Sequence, residues 1–276
     1  MTAVGQHLLT LRGWDSAGLS AFFELVDRYD AGSGPSFDGA VAMFFPPSSL
    51  RTRFSFERGA AEIGLQSITL PPETLDKDED LADVAGYLAQ WADLVVVRHP
   101  KMDVLEQLAA PGLLPVVNAM TSVNHPCEVL SDLYALSRDV DVTQLRYVFV
   151  GADGNIARAW WEAAQAFGLD IRQCCPSELR VVGMPWEEDL RHAIPTADVV
   201  LTDGPGRHAE LLDPYLVTGE LLDLAPHGVR FAPCPPFVRG REVSADAISH
   251  RSFVGYEFKR SLKPVQQAVM ARSLLP

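Results

Sequence analysis

The chain has 276 residues, of which 47% are hydrophobic and 21% charged, and its formal net charge is −13. Length and composition fit a globular protein of two compact domains and exclude a disordered chain. The negative charge argues against nucleic acid or an anionic membrane as main partner, so any anion site must be local.

The amino-terminal run "MTAVGQHLLTLRGWDSAGLS" lacks a basic start, an apolar core and a small-residue cleavage site, and is read as carrying no signal peptide. No apolar run is long enough to span a bilayer. Cys127, Cys174, Cys175 and Cys234 lack Cys-x-x-Cys spacing, and the histidines are scattered. A reduced cytoplasm, with no metal and no cofactor, is the expectation.

In chain order, β-rich runs are "GAVAMFF", "LQSITL", "ADLVVVRH", "LPVVNAM", "RYVFVGA", "LDIRQCC", "ADVVLTD" and "GVRFAPC". Amphipathic stretches such as "DLADVAGYLAQWA" and "ARAWWEAAQAFG" fall between them. This alternation predicts an α/β fold of parallel sheets with crossover helices. A helix in "HPCEVLSDLYALSRDVDVTQL" should end the first α/β set, and the second begins at Arg146. The last segment, "YEFKRSLKPVQQAVMARSLL", predicts a closing helix interrupted near Pro264.

The stretch "FFPPSSLRTRFSFERGAAEIG", residues 44 to 64, reads as a strand that turns into a helix with hydroxyls and guanidiniums at the junction. Backbone N–H groups and the positive helix end point into such a turn. Ser49, Thr52 and Arg51 add donors suited to a phosphate. The alternative is that Ser49 caps the helix while both arginines pair with surface carboxylates such as Glu57. The segment "VFVGADGNIA" also hints at a dinucleotide turn, but Asp153 stands where the middle glycine of G-x-G-x-x-G is needed between Gly151 and Gly154.

Taken in order, several segments resemble the aspartate/ornithine carbamoyltransferase family. "FPPSSLRTRFSFE" is similar to its carbamoyl phosphate motif Ser-Thr-Arg-Thr-Arg, with Leu50 in the variable second place. "VVVRHP" supplies Arg98, and "HPCEVLSDL" resembles His-Pro-x-Gln-x-Leu-x-Asp-Leu. "FVGADGNIARAWWEAAQAFGLDIR" looks like the start of the second domain. "FAPCPPFVRGREVS" resembles the ornithine branch's His-Cys-Leu-Pro followed by Arg-Gly-x-Glu-Val.

The resemblance implies two parallel-sheet α/β domains with a carboxyl-terminal helix returning to the first. The expected division is a carbamoyl phosphate-binding domain at 1–130, an amino-acceptor-binding domain at 131–252 and the returning helix at 253–276. It implies that Ser49, the Leu50 backbone N–H, Arg51 and Thr52 hold phosphate, and that Arg98 and His125, with Thr52, are catalytic groups at the carbonyl oxygen. Arg53 matches the motif but is as readily an ion-pair partner. "TLDKDEDLADV" lines up with a family loop that, in the aspartate branch, sends a lysine into a neighbouring subunit. Lys77 takes that place among the carbamoyl phosphate-binding residues, and a homotrimer is implied.

Departures concern the acceptor. Glu128 stands where the family has glutamine beside the carbamoyl amino group; it can accept from that NH2 or from an ammonium, or partner an arginine. Asn155 and Asp203 match acceptor-binding positions of the ornithine branch. Arg207 falls near the serine of Ser-Met-Gly, where it either clamps a carboxylate or lies on a loop surface. "APCPP" keeps Cys234 and Pro236 but has Pro233 for histidine and Pro235 for leucine. A rebuilt pocket around Asn155, Asp203, Arg207, Cys234 and Pro235 implies carbamoyl transfer to a small amino-acid-like amine, with a short diamino acid such as 2,3-diaminopropionate the first candidate. The alternatives are ornithine carbamoylation in arginine metabolism and a non-catalytic anion-binding homologue. Arg260 offers a carboxyl-terminal arginine whose role stays open.

Overall fold

In the computed structural model, which describes residues 6–275, the chain divides into two units: Met1–Tyr134 with Lys259–Pro276, and Ala135–Phe258. Both are built on parallel sheets.

In the first unit α1 (Ser16–Asp30) is capped by Asp15, whose carboxylate accepts from Gly18 N. There follow β1 (Gly39–Phe44), α2 (Arg51–Glu62), β2 (Leu65–Leu70), α3 (Leu81–Leu88), β3 (Leu94–Arg98), α4 (Met102–Ala109), β4 (Val116–Met120) and α5 (Pro126–Ser137). The sheet order is β2-β1-β3-β4. Leu94 through Val97 are fully buried, which is why that run is continuously apolar: crossover helices cover both faces of a parallel sheet.

The second unit contains β5 (Arg146–Val150), α6 (Asn155–Phe167), β6 (Asp170–Cys174), β7 (Trp186–Glu187), α7 (Leu190–Ala193), β8 (Val199–Thr202), α8 (Ala209–Leu212), α9 (Gly219–Leu222), β9 (Arg230–Pro233) and α10 (Ala245–Ser249). Its sheet order is β7-β6-β5-β8-β9. The two-residue β7 is too short to leave a periodic signal in sequence. Helix α6 stops at Gly168, whose left-handed backbone, φ 73°, is open to glycine at no steric cost. Behind it Trp160 packs on Tyr147 with ring centroids 5.4 Å apart.

The closing segment differs from expectation at one point. A 3₁₀ helix occupies Tyr256–Ser261 and α11 runs unbroken over Leu262–Leu274. Pro264 lies in the first turn of α11, where a backbone N–H has no intrahelical acceptor, so the proline starts the helix rather than interrupting it. Nearly every residue of α11 is buried, and the helix packs on α1 and α2 of the first unit. Gly59 permits the approach: a Cβ there would lie 3.2 Å from Gln267 Cγ and 3.6 Å from the Lys263 carbonyl oxygen. Lys263 ties the same face to Glu62 at 2.7 Å. No helix among the described residues is long and apolar enough to cross a membrane.

Gly59→Leu is expected to destabilise the protein by about 1–3 kcal/mol through overpacking against α11, although leucine is the better helix former. Equilibrium urea unfolding measures this, and an unchanged midpoint would contradict the close contact.

Candidate functional site

In the first unit the crossovers bring the loops after β1, β3 and β4, neighbours in the sheet, to one edge. The loop after β1 carries Ser49 and opens α2, Arg98 ends β3, and His125 follows β4 just ahead of α5. The order in which strands are added to the sheet reverses between β1 and β3, which run parallel, and this is the position where open α/β sheets bind ligands beyond their carboxyl ends.

Helix α2 starts without a side-chain cap: Leu50 is the capping residue and makes no capping hydrogen bond. Ser49 is therefore not the cap that sequence offered as the alternative. Its buried hydroxyl accepts from Arg98 Nη1 at 3.2 Å. Thr52 is buried on the first turn beside the uncapped N–H groups, while Arg51 and Leu50 are exposed. Arg53 takes the ion-pair alternative, donating from Nε to Glu57 at 2.8 Å, and Glu57 also accepts from Thr69. These groups present hydrogen-bond donors to whatever enters the turn from the Arg51 side.

His125 is buried, and burial pushes its imidazole down to about 4, with Glu128 opposing and Arg98 reinforcing the shift. It is thus neutral at pH 7 and acts as a hydrogen-bonding dipole rather than a cation. Its Nε2 lies 3.9 Å from Glu128 Oε2. That distance is too long for a hydrogen bond. Burial alone would push the Glu128 carboxyl up, but the ammonium of Lys259, with the Arg51 guanidinium, outweighs it and holds Glu128 below the ordinary range. Lys259 Nζ donates to Glu128 Oε1 at 2.6 Å and to Asp132 Oδ1 at 2.5 Å. Asp132 is pushed up to about 6 by burial, despite Lys259 and with Glu128 adding to the rise.

Sequence reasoning did not single out Lys259. The signal was there in Glu128, since a buried carboxylate replacing an amide calls for a cation. The partner is a lysine and not the arginine that the sequence suggests: Lys259 turns inward while its neighbour Arg260 is exposed. Lys77 is exposed on the loop ahead of α3, where Asp80 caps the helix by accepting from Ala82 N. The loop is moored beside it, with Asp76 lying 3.1 Å from Lys101 Nζ and 3.3 Å from His99 Nε2.

The second unit repeats the arrangement. Asn155 opens α6 after β5, Asp203 follows β8, and Cys234 and Pro235 follow β9, on adjacent strands. Asp203 sits against the β5–α6 turn: a Cβ on Gly154 would lie 3.9 Å from its Oδ2. Cys234 is buried and its N–H donates to the Thr202 carbonyl at 2.9 Å, while the Pro235–Pro236 bond is cis. Arg207 is exposed, its Nε donating to His208 Nε2 at 3.1 Å, so it does not face Asn155 through any hydrogen bond of its own. At the dinucleotide-like turn, Asp153 donates its N–H to the Leu179 carbonyl at 2.7 Å and its carboxylate is gripped by Arg158 at 2.6 and 2.8 Å. That turn offers a pyrophosphate neither the free N–H nor the space that a middle glycine gives.

Family models match both units: "Aspartate/ornithine carbamoyltransferase, carbamoyl-P binding domain" over residues 6–138, and "Aspartate/ornithine carbamoyltransferase, Asp/Orn binding domain" over residues 143–272. The chain belongs to the aspartate/ornithine carbamoyltransferase family, whose members are enzymes that transfer carbamoyl groups. It is 32% identical over 268 residues to an ornithine carbamoyltransferase of Chromohalobacter salexigens, covering 87% of this chain and 88% of that one. It is 31% identical over 256 residues to that of Rhodopseudomonas palustris, covering 84% and 81%. Among solved structures, ornithine carbamoyltransferase from Pyrococcus furiosus shares the fold with a TM-score of 0.90 at 24% identity, covering 98% of this chain and 97% of that one.

Because the folded protein resists protonating His125 while the unfolded chain takes up that proton near 6.5, its stabilising contribution is intact above about 6.5 and is lost as pH falls toward 4. In histidine NMR titrations the His125 imidazole is expected to stay neutral down to about pH 5. A midpoint near 6.5 would contradict its burial.

Proposed function

We propose that the chain transfers the carbamoyl group of carbamoyl phosphate to the primary amine of a small amino acid. The observation that carries this reading is the uncapped start of α2, with buried Ser49 and Thr52 beside Arg98 and, across the sheet edge, neutral His125. Arg51, Ser49, Thr52 and the Leu50 and Arg51 N–H groups bind the phosphate. Arg98 and His125, with Thr52, point at the carbonyl oxygen.

In the reaction a neutral amine forms a bond to the carbonyl carbon, negative charge gathers on the carbonyl oxygen, and the C–O bond to phosphate breaks with its electron pair leaving on phosphate. The amine then gives up a proton, leaving a ureido product and inorganic phosphate. Orientation and donors fixed in advance supply the acceleration, and no covalent enzyme intermediate is required.

Ornithine is the first acceptor to consider, because the curated relatives named above are ornithine carbamoyltransferases. Asn155 and Asp203 suit an α-amino acid head, the carboxylate of Asp203 favouring a cationic amino group. A second reading, a shorter diamino acid, is favoured by the sequence "GPGRHAE" after Asp203 and by Pro233 and Pro235 beside Cys234. Carbamoyl phosphate would bind the first unit and the acceptor the second. Exposed Lys77 suits a homotrimer in which it reaches a neighbouring copy, and buried cysteines that form no disulfide among the described residues suit a reducing cytoplasm.

A panel of ornithine, lysine, aspartate, putrescine and 2,3-diaminopropionate tests the acceptor by kcat/KM. Ornithine far ahead would support the first reading, 2,3-diaminopropionate ahead the second, and aspartate ahead would remove the role given to Asp203. His125→Ala is expected to lower kcat by about 2–4 kcal/mol of transition-state stabilisation, whereas Arg51→Ala mainly raises the KM for carbamoyl phosphate. Equal, small effects would count against the site. Since the attacking amine must be neutral, kcat/KM is expected to rise with pH until the reactive ammonium has lost its proton.

A further inference from the structure

The first unit holds an ion cluster that the proposed chemistry does not by itself require. Glu128 and Asp132 lie one turn apart on α5, both buried, with the Lys259 ammonium between them. Lys259 comes from the 3₁₀ helix that precedes α11, so the last segment of the chain reaches back to α5. A buried triad of this kind is a poor source of stability, because desolvating three charges offsets their attraction. Its geometry has a different consequence. One oxygen of Glu128 is engaged by Lys259, and the other faces His125 at 3.9 Å, close enough to share a ligand with the imidazole but not to bond to it.

We propose that Lys259 is a positioning residue of the donor site, holding Glu128 ionised and turned so that Oε2 accepts an N–H from the carbamoyl amino group. This rests on the carbamoyl transfer reading above and adds how the site tells its donor from other acyl phosphates. An ionised carboxylate is an acceptor only, and its hydrogen bond from an amide N–H is charge-assisted. Acetyl phosphate has the same shape but offers a methyl group at that place, leaving the charged oxygen facing carbon. Sites built around a polar group reject analogues that lack its partner far more strongly than apolar sites do. Without the ammonium, Glu128 loses the interaction that offsets its burial; it takes up a proton or turns away, and the distinction between NH2 and CH3 fades. Arginine in place of Lys259 keeps the charge, and glutamine in place of Glu128 removes the need for it.

The test is the ratio of acetyl phosphate Ki, measured as a competitor, to carbamoyl phosphate KM, in the whole protein with the best acceptor of the panel. Lys259→Met is expected to lower this ratio by about tenfold, chiefly through carbamoyl phosphate, while Lys259→Arg keeps it within about threefold of the unaltered protein. Glu128→Gln/Lys259→Met is expected to recover the ratio of Glu128→Gln alone, which a merely structural lysine would not allow. Should Lys259→Met fail to fold, that double variant and Lys259→Arg carry the comparison. The inference is overturned if a folded Lys259→Met keeps the ratio, if both ligands weaken alike, or if the double variant stays as impaired as Lys259→Met. No phosphate release from carbamoyl phosphate by the unaltered protein would instead overturn the carbamoyl transfer reading.

Discussion

A parallel sheet with crossover helices must deliver every loop that follows a strand to the same edge, and this constraint brings the candidate site residues together. In the first unit it gathers Ser49, Arg98 and His125 from positions far apart in sequence, because β1, β3 and β4 are neighbours. In the second unit β5, β8 and β9 do the same for Asn155, Asp203 and Cys234. Neither group depends on a long or specialised loop. Each depends on strand order, and strand order depends on the buried apolar runs that form the sheets.

Charge is arranged against the composition. The chain is acidic overall, with a formal net charge of −13, yet the turn into α2 gathers Arg51, Arg98 and the open helix start. Acidic side chains near it are engaged elsewhere: Glu57 by Arg53 and Thr69, and Glu128 and Asp132 by Lys259. The turn stays positive because its neighbouring carboxylates are paired with cations, and such a local field favours an anion. Burial then keeps His125 neutral, so the donors differ in kind: a permanent cation at Arg98 and an uncharged dipole at His125.

Much of this was legible in sequence because it follows from periodicity and from short motifs. The runs "GAVAMFF", "ADLVVVRH" and "RYVFVGA" became β1, β3 and β5 since an unbroken apolar stretch between helical segments has few other ways to be buried. The junction at Ser49 to Thr52 was legible because hydroxyls and arginines at a strand-to-helix turn have a specific electrostatic use. Other features depend on contacts that no local pattern encodes. Lys259 meets Glu128 across 131 positions of sequence, and the strand β7 is held by pairing with β6 rather than by its own composition. Pro264 misled because proline breaks a helix interior but suits a first turn, and only the preceding 3₁₀ segment says which applies.

Carbon NMR with carbamoyl phosphate labelled at its carbonyl carbon tests the central claim most directly, because it follows the atom said to move. With an amino acid from the acceptor panel, the account predicts that the label passes into a ureido carbonyl as inorganic phosphate appears, and that Arg98→Met abolishes the transfer. Decay of the label to cyanate and carbonate at the uncatalysed rate, with no ureido signal above that of an enzyme-free control for any acceptor, would contradict it.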